Sequence, residues 1–292
     1  MSFSSIASML SAAQESGQPL YAVIRYADCQ ENGYDAAASY RQIAALWTAM
    51  QQSSRQYCAS DRSNSGLIGG DAARFRAAAE AGRLLGGTYF QRVTEEALKV
   101  AECNACMKRI VAAPTAGSCG VLPAVLIPLA EVRDVAEETI LQALYIAAGF
   151  GQVTALRASV AGAEGGCQAE IGTASAMAAA ALTHILGGTA QQCADAYAIA
   201  LGNLLGLVCD PVAGLVEVPC VKRNVIGAVN AVSAANMAVA GITSRIPVDE
   251  VIDAMGEVGD ALPASLRETG LGGLAATPTG RQAAERIARA EH

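Results

Sequence analysis

From Asn224 to Ser244 the chain carries no charged residue, and Arg223 and Arg245 close the run at either end. A stretch this long and this free of charge has to lie in a bilayer or inside protein. A spanning helix needs about 20 predominantly strongly apolar residues. Here the apolar residues are mostly Ala and Val, and Asn224, Asn230, Ser233, Asn236, Thr243 and Ser244 interrupt them. The run therefore predicts a helix buried in protein, and the mean hydropathy of +0.31 is read as the mark of a core.

The rest of the chain repeats this pattern. Runs of β-branched residues with period-two alternation are short and few, while Ala-rich segments end at paired glycines, which suit helix termini. A helix is predicted from Asp71 to Gly86-Gly87 and another from Thr88 to Met107. Asp134 and Glu137 have capping-box spacing ahead of an apolar run that stops at Gly149-Phe150-Gly151. Gln168 to Leu186 closes at Gly187-Gly188, and Thr189 with Gln192 caps a helix reaching about Gly206. The uncharged helix covers Val221 to Ile242, Pro247 opens the next one, and the last begins near Arg281. Small residues such as Ser175, Ala176, Ala179 and Ala180 recur at spacings that share a helix face, so central helices can approach closely. The expected fold class is all-α, with buried central helices. All 292 residues are read as one helical domain, with residues 1–64 as an N-terminal helical subregion ahead of the loop SDRSNSGLIGG.

Charged residues make up 16% of the chain, against about 25% in an ordinary globular domain. Much of the surface is therefore expected to be covered by a partner. The net charge of −7 and the lack of a basic patch exclude a phosphate-neutralising nucleic-acid binder. MSFSSIASML lacks the basic start and apolar core of a signal peptide. A cytoplasmic location, with neither membrane nor nucleic acid as partner, is the expectation. Nine cysteines in such a compartment are shared among metal binding, redox chemistry and plain burial rather than structural disulfides.

Four loops interrupt the helices without being required by propensity: Ala113–Gly120, Gly162–Cys167, Cys209–Gly214 and Gly270–Gly280. Cys167 follows two glycines, Cys209 precedes Asp-Pro, and Cys220 follows Pro219. All three sit at helix ends or tight turns, where backbone N–H groups can stabilise a thiolate. On spacing alone, metal binding and burial both remain open for them. Cys103 and Cys106 form a CxxC, but inside an apparent helix and without a second ligand pair, so zinc and redox readings lack their context. Thr115-Ala116-Gly117-Ser118 has the form of a turn that offers N–H groups to an anion, or simply of a connection. Lys222 could face an anionic ligand near Cys220 or be solvated. Glu164 and Glu170 flank Cys167, and Glu164, in the Gly-rich loop, is the better site candidate. Of the two histidines, His184 reads as buried in a helix and His292 ends the chain.

Read together, IVAAPTAGSCGVLPAVL, SVAGAEGGCQAEIGTASAMAAAA, LGLVCDPVAGLVEVPCVKRN and LGGLAATPTGR resemble the α chain of the iron–sulfur-dependent L-serine dehydratases. The resemblance covers roughly residues 65–281. It implies a [4Fe–4S] cluster held by Cys167, Cys209 and Cys220; Cys103, Cys106 and Cys119 are not implied ligands. It also implies elimination of water from L-serine to give pyruvate and ammonia. An iron with an open position would act as a Lewis acid on the hydroxyl. Thr115, Ala116, Gly117 and Ser118 become candidates for holding the serine carboxylate, with Lys222, Arg223 or Asn224 beside the cluster. No candidate loop contains a histidine, so the general base is unassigned and expected on a β subunit, as in two-chain members of the family; a homo-oligomer is also compatible. Competing readings are a pyridoxal-phosphate β-eliminase using Lys99, Lys108 or Lys222, a non-catalytic iron–sulfur protein, and a redox CxxC protein.

Overall fold

Alanine runs and capping residues divide the chain into helices joined by short connections. In chain order these are α1 (Ile6–Ser16), α2 (Leu20–Asn32), α3 (Ala36–Arg55), α4 (Asp71–Glu80), α5 (Thr88–Ala105), α6 (Val121–Arg133), α7 (Glu137–Arg157), the single turn α8 (Gly162–Gly165), α9 (Thr173–Ile185), α10 (Ala190–Gly202), α11 (Cys220–Val239), α12 (Val248–Ala261) and α13 (Pro278–Ala290). The structure is a computed structural model that describes residues 3–290; His292 lies outside them. Among the described residues no strand forms, and an isolated parallel bridge joins Cys209 to Arg267. The all-α expectation holds.

Helix α9 is the axis of the molecule. Every residue from Thr173 to Thr183 is buried, and α7, α10, α11 and α6 pack around it. Side chains no larger than alanine at most of these positions let four helices approach one. Polar cross-links sit inside this packing: Ser175 donates to the Gly227 carbonyl at 2.7 Å, and Asn230 donates to the Ala200 carbonyl at 2.8 Å and to Ser175 at 2.9 Å. The same core takes in Ile6, Met9, Ile24 and Trp47 from α1–α3. The uncharged run forms most of α11, buried against α9 and α5. By length and composition, residues 116–133 and α7 could also cross a membrane, but both are mostly buried inside the fold.

Two helix starts take up a carboxylate from elsewhere in the chain: α4 has no local side-chain cap, and α1 adds one to its Ser5 cap, whose hydroxyl accepts the Ser8 N–H at 3.1 Å. Glu102 on α5 accepts the N–H groups of Gly70, Asp71 and Ala72 at 2.8–3.2 Å at the start of α4. Asp249 on α12 accepts those of Ile6 and Ala7 at 2.8 and 3.0 Å at the start of α1. Such carboxylates satisfy orphan donors and oppose the positive end of the helix dipole.

Several boundaries differ from the sequence expectation. Helix α4 stops at Glu80, because Gly82 at φ +65° closes a Schellman motif in which Arg83 N–H bonds to the Ala78 carbonyl at 3.1 Å. Helix α7 runs through Gly149-Phe150-Gly151 to Arg157. Those glycines admit close neighbours, Ile24 and Met177, rather than ending the helix. Asp134 is the left-handed terminal residue of α6, and α7 starts after Ala136 with no capping box. The Thr189–Gln192 capping box forms both of its bonds, at 2.8 and 3.2 Å, but α10 ends at Gly202. Pro247 is the N-cap of α12 rather than its first residue, and α13 begins at Pro278.

Candidate metal centre

Cys167, Cys209 and Cys220 come from three different connections, and all three are buried. Gly166 delivers the first. Its φ of +75° lies in the region open mainly to glycine, and a Cβ there would stand 2.8 Å from Leu262 Cδ1 and 3.0 Å from the Leu207 carbonyl oxygen. A π-helical turn, Gln168–Gly172, then leads into α9; such turns recur at functional sites. Gln168 anchors it, donating to the Met255 carbonyl at 3.1 Å and accepting the Gly206 N–H at 2.8 Å. Cys209 is held from both sides by the C-terminal segment: its N–H donates to the Leu266 carbonyl and its carbonyl accepts the Glu268 N–H, both at 2.8 Å. Cys220 is the first residue of α11.

The sulfurs of Cys167 and Cys209 and an oxygen of Glu170 lie within 4.8 Å of one another. Cys220 stands outside this tight group, three residues before Arg223, whose guanidinium reaches Cys167 Sγ. The Cys209 thiol beside it holds Cys167 below the ordinary thiol value, with Arg223 assisting against burial. Cys209 is correspondingly raised by Cys167 and by burial. Burial pushes Cys220 up to about 12 and raises Glu170 above the carboxylate range, with the Thr115 hydroxyl opposing. Arg223 Nη1 donates to Cys167 Sγ at 3.3 Å and to the Val208 carbonyl at 2.8 Å, while its Nη2 meets Asp210 Oδ1 at 2.8 Å.

The Thr115–Ser118 turn borders this group. A Cβ on Gly117 would stand 3.2 Å from Glu170 Oε1, and Ala116 is exposed. Ser118 is buried, and its hydroxyl faces that of Thr115 at 3.2 Å. Asn224 spends its whole amide on the scaffold. Its Oδ1 accepts the Gly120 N–H at 2.8 Å, and its Nδ2 donates to the carbonyls of Gly117 at 2.8 Å and Cys220 at 3.0 Å. Asn224 thus ties the turn to the start of α11. Lys222 is not brought in: its exposed ammonium lies 3.5 Å from Asp71. Glu164 is exposed and takes the Ser159 hydroxyl at 2.5 Å, so Glu170, not Glu164, is the carboxylate of the site. Its place three residues after Cys167 puts it on the same helical face, a signal the sequence did contain. Asp210, directly after Cys209, was also missed.

Elsewhere the alternatives lose ground. Lys99 pairs with Glu96, and Lys108 with Asp61 and the Gln56 carbonyl, so none of the three lysines faces the cysteine loops. Cys103 is buried near the end of α5, with its thiol pushed up to about 12, and Cys106 caps that helix.

The donor set suits a soft metal centre. Three buried thiols at separate turns and helix ends, none in a disulfide, are what thiolate ligation of iron–sulfur clusters calls for, and Arg223 would offset the negative charge they carry.

The family model described as Serine dehydratase alpha chain matches residues 5–275. A probable L-serine dehydratase alpha chain of Bacillus subtilis (strain 168) is 55% identical over 77% of this chain and 75% of its own length. Another from Latilactobacillus sakei is 58% identical over 64% of this chain and 89% of its own length. The L-serine dehydratase TdcG of Escherichia coli (strain K12) is 48% identical over 61% of this chain but only 40% of its own length. With the match running through every helix of the core and every loop around the cysteines, this chain belongs to the serine dehydratase alpha chain family.

Proposed function

We propose that this chain is the α subunit of a cytoplasmic L-serine dehydratase, a carbon–oxygen lyase that removes water from L-serine to yield pyruvate and ammonia. The observation that carries the reading is the gathering of Cys167, Cys209 and Glu170 next to the Thr115–Ser118 turn, with Cys220 opening the helix whose Arg223 reaches Cys167. Cys167, Cys209 and Cys220 would hold a [4Fe–4S] cluster. When bound, such a cluster supplies an iron with an open position, a Lewis acid for the substrate hydroxyl.

The chain's own residues would do the rest of what this subunit contributes. The turn at Thr115, Ala116, Gly117 and Ser118 would orient the serine carboxylate through N–H and hydroxyl donors, with Ala116 at its open edge. Asn224 would act by fixing that turn against α11, since both of its amide N–H groups and one lone pair of its oxygen are already committed there. Glu170 can hold or accept a proton at the inner side of the turn. Arg223 would keep Cys167 oriented. The remaining part of the active site, including the general base, is assigned to a second chain. The α-chain names of the relatives and the unmatched length of the Escherichia coli relative support that assignment. Free thiols throughout the chain fit a reducing compartment.

Anaerobic reconstitution followed by iron and sulfide analysis tests the reading, with Cys167→Ser, Cys209→Ser and Cys220→Ser as controls. The wild-type chain is expected to take up iron and sulfide, each variant to lose most of it, and serine to perturb the visible absorption. Iron uptake indifferent to all three substitutions would sink the assignment. A band near 400 nm without iron (an order-of-magnitude position for a Lys–cofactor imine) would instead favour the pyridoxal-phosphate reading.

A further inference from the structure

Arg223 and Asp210 form a buried ion pair, N to O 2.8 Å, among the cysteine loops. The guanidinium fork is used in three directions: toward Cys167 Sγ, the Val208 carbonyl and Asp210 Oδ1. The other carboxylate oxygen, Asp210 Oδ2, accepts the Leu274 N–H at 2.7 Å. One pair therefore links α11, the loop of Cys167, the loop of Cys209 and the 3-10 turn Gly273–Ala276. The backbone bridge from Cys209 to residues 266–268 lies alongside. Gly273 permits the approach, since at φ +57° its Cβ position stands 2.3 Å from Asp210 Oδ2.

Stability alone is a poor reason for such an arrangement. Removing two charges from water is costly, and well-packed apolar replacements often serve as well or better. What an apolar pair cannot supply is a fixed positive charge on one sulfur together with a fixed separation between loops.

We propose that Arg223 and Asp210 are a positioning pair that sets the charge around Cys167 and clasps residues 266–276 over the cysteine loops. The electrostatic half rests on the reading that Cys167, Cys209 and Cys220 hold a cluster; the clasp half does not. A cation hydrogen-bonded to a ligand sulfur stabilises the reduced, more negative cluster, because charge and hydrogen bonds at the sulfurs tune the potential. Lysine keeps the charge but lacks the planar fork that reaches three acceptors.

The test uses Arg223→Gln, Arg223→Lys and Gly273→Ala in the full chain, with two readouts. One is the reduction midpoint of the reconstituted cluster. The other is tryptic cleavage after Arg267 in the metal-free chain. Arg223→Gln is expected to shift the midpoint to more negative potential and to speed cleavage several-fold. Arg223→Lys should keep the potential near wild type while still speeding cleavage. Gly273→Ala should speed cleavage with the potential unmoved, because it opens the clasp from the far side. A wild-type midpoint in Arg223→Gln would overturn the electrostatic half. Wild-type cleavage in both Arg223→Lys and Gly273→Ala would overturn the clasp. If the wild-type chain takes up no iron, the cluster reading and the electrostatic half fail together, and cleavage alone decides the clasp. If Arg223→Gln does not fold, a midpoint in Arg223→Lys well below that of wild type overturns the electrostatic half, because the charge is kept there, and wild-type cleavage in Arg223→Lys and Gly273→Ala still overturns the clasp.

Discussion

At Asn224 a side chain expected to meet substrate proves to be a buried joint. Replacing it by Ala strands the Gly120 N–H and the Gly117 carbonyl, both in the buried turn. Leaving a buried polar group unpaired costs about 1–3 kcal/mol, so Asn224→Ala should destabilise the metal-free chain by about 3 kcal/mol in denaturant unfolding. Asn224→Asp should cost more, because it turns a carboxylate oxygen toward two carbonyls. His184 gives a prediction of a different kind. It stacks edge-on against Tyr21, ring centroids 5.9 Å apart, and burial lowers its pKa below the usual 6.5. As pH falls through that value the unfolded chain takes up the proton first, so the folded state loses stability with acidification and keeps its full share above it. Melting temperatures from pH 8 down to 5.5 (a range of about one unit or more either side of the histidine pKa) should show this loss in the wild type and a flatter slope in His184→Phe. Parallel curves would refute it.

Among the elements, the legible and illegible parts of the fold separate by physical cause. The Thr189–Gln192 capping box and the glycine pair after α9 are local chemistry, and both stand where the sequence puts them. Gly149 and Gly151 misled because a helix can continue through glycine when a neighbour needs the space. Asp134 misled because Asp also serves as a left-handed terminal residue. The three cysteines could be singled out by their positions at helix ends. The Arg223–Asp210–Leu274 chain could not, since it joins residues 64 apart in sequence at its longest step. The exclusion of a Cβ at Gly227 is likewise tertiary. On α11, that atom would lie 3.0 Å from Ile171 Cγ2 and 3.0 Å from Val121 Cγ2. Gly227→Val should therefore force α11 away from the π-turn and α6, at about 1–3 kcal/mol by the usual cost of overpacking. Denaturant midpoints measure this, and an unchanged midpoint would show that α11 is not held at that distance.

For the molecule as a whole, the question is what completes the site. Leu271 and Leu274 stand 74% and 44% exposed on the segment clasped over the cysteine loops, and Ile226 is 49% exposed on the second turn of α11. A chain with only 16% charged residues has few groups to keep such a surface in water, and apolar exposure of this kind marks interaction sites when it is contiguous. The match also covers 40% of the length of the Escherichia coli relative but 89% of an α-chain relative, so the remainder of the longer protein has no counterpart in the matched region. A second chain seated beside the cysteine loops would account for both facts and would carry the general base. The chain reconstituted alone should then bind iron and respond to serine yet turn over little or no L-serine. Adding the second chain should raise turnover by orders of magnitude, since a positioned general base contributes typically about 100- to 10,000-fold. Full activity from the single chain would place the base within it. Glu170, the carboxylate grouped with Cys167 and Cys209 among the described residues, would then be the first residue to replace. Glu170→Gln would abolish turnover in that case, whereas a partner-supplied base predicts a smaller loss.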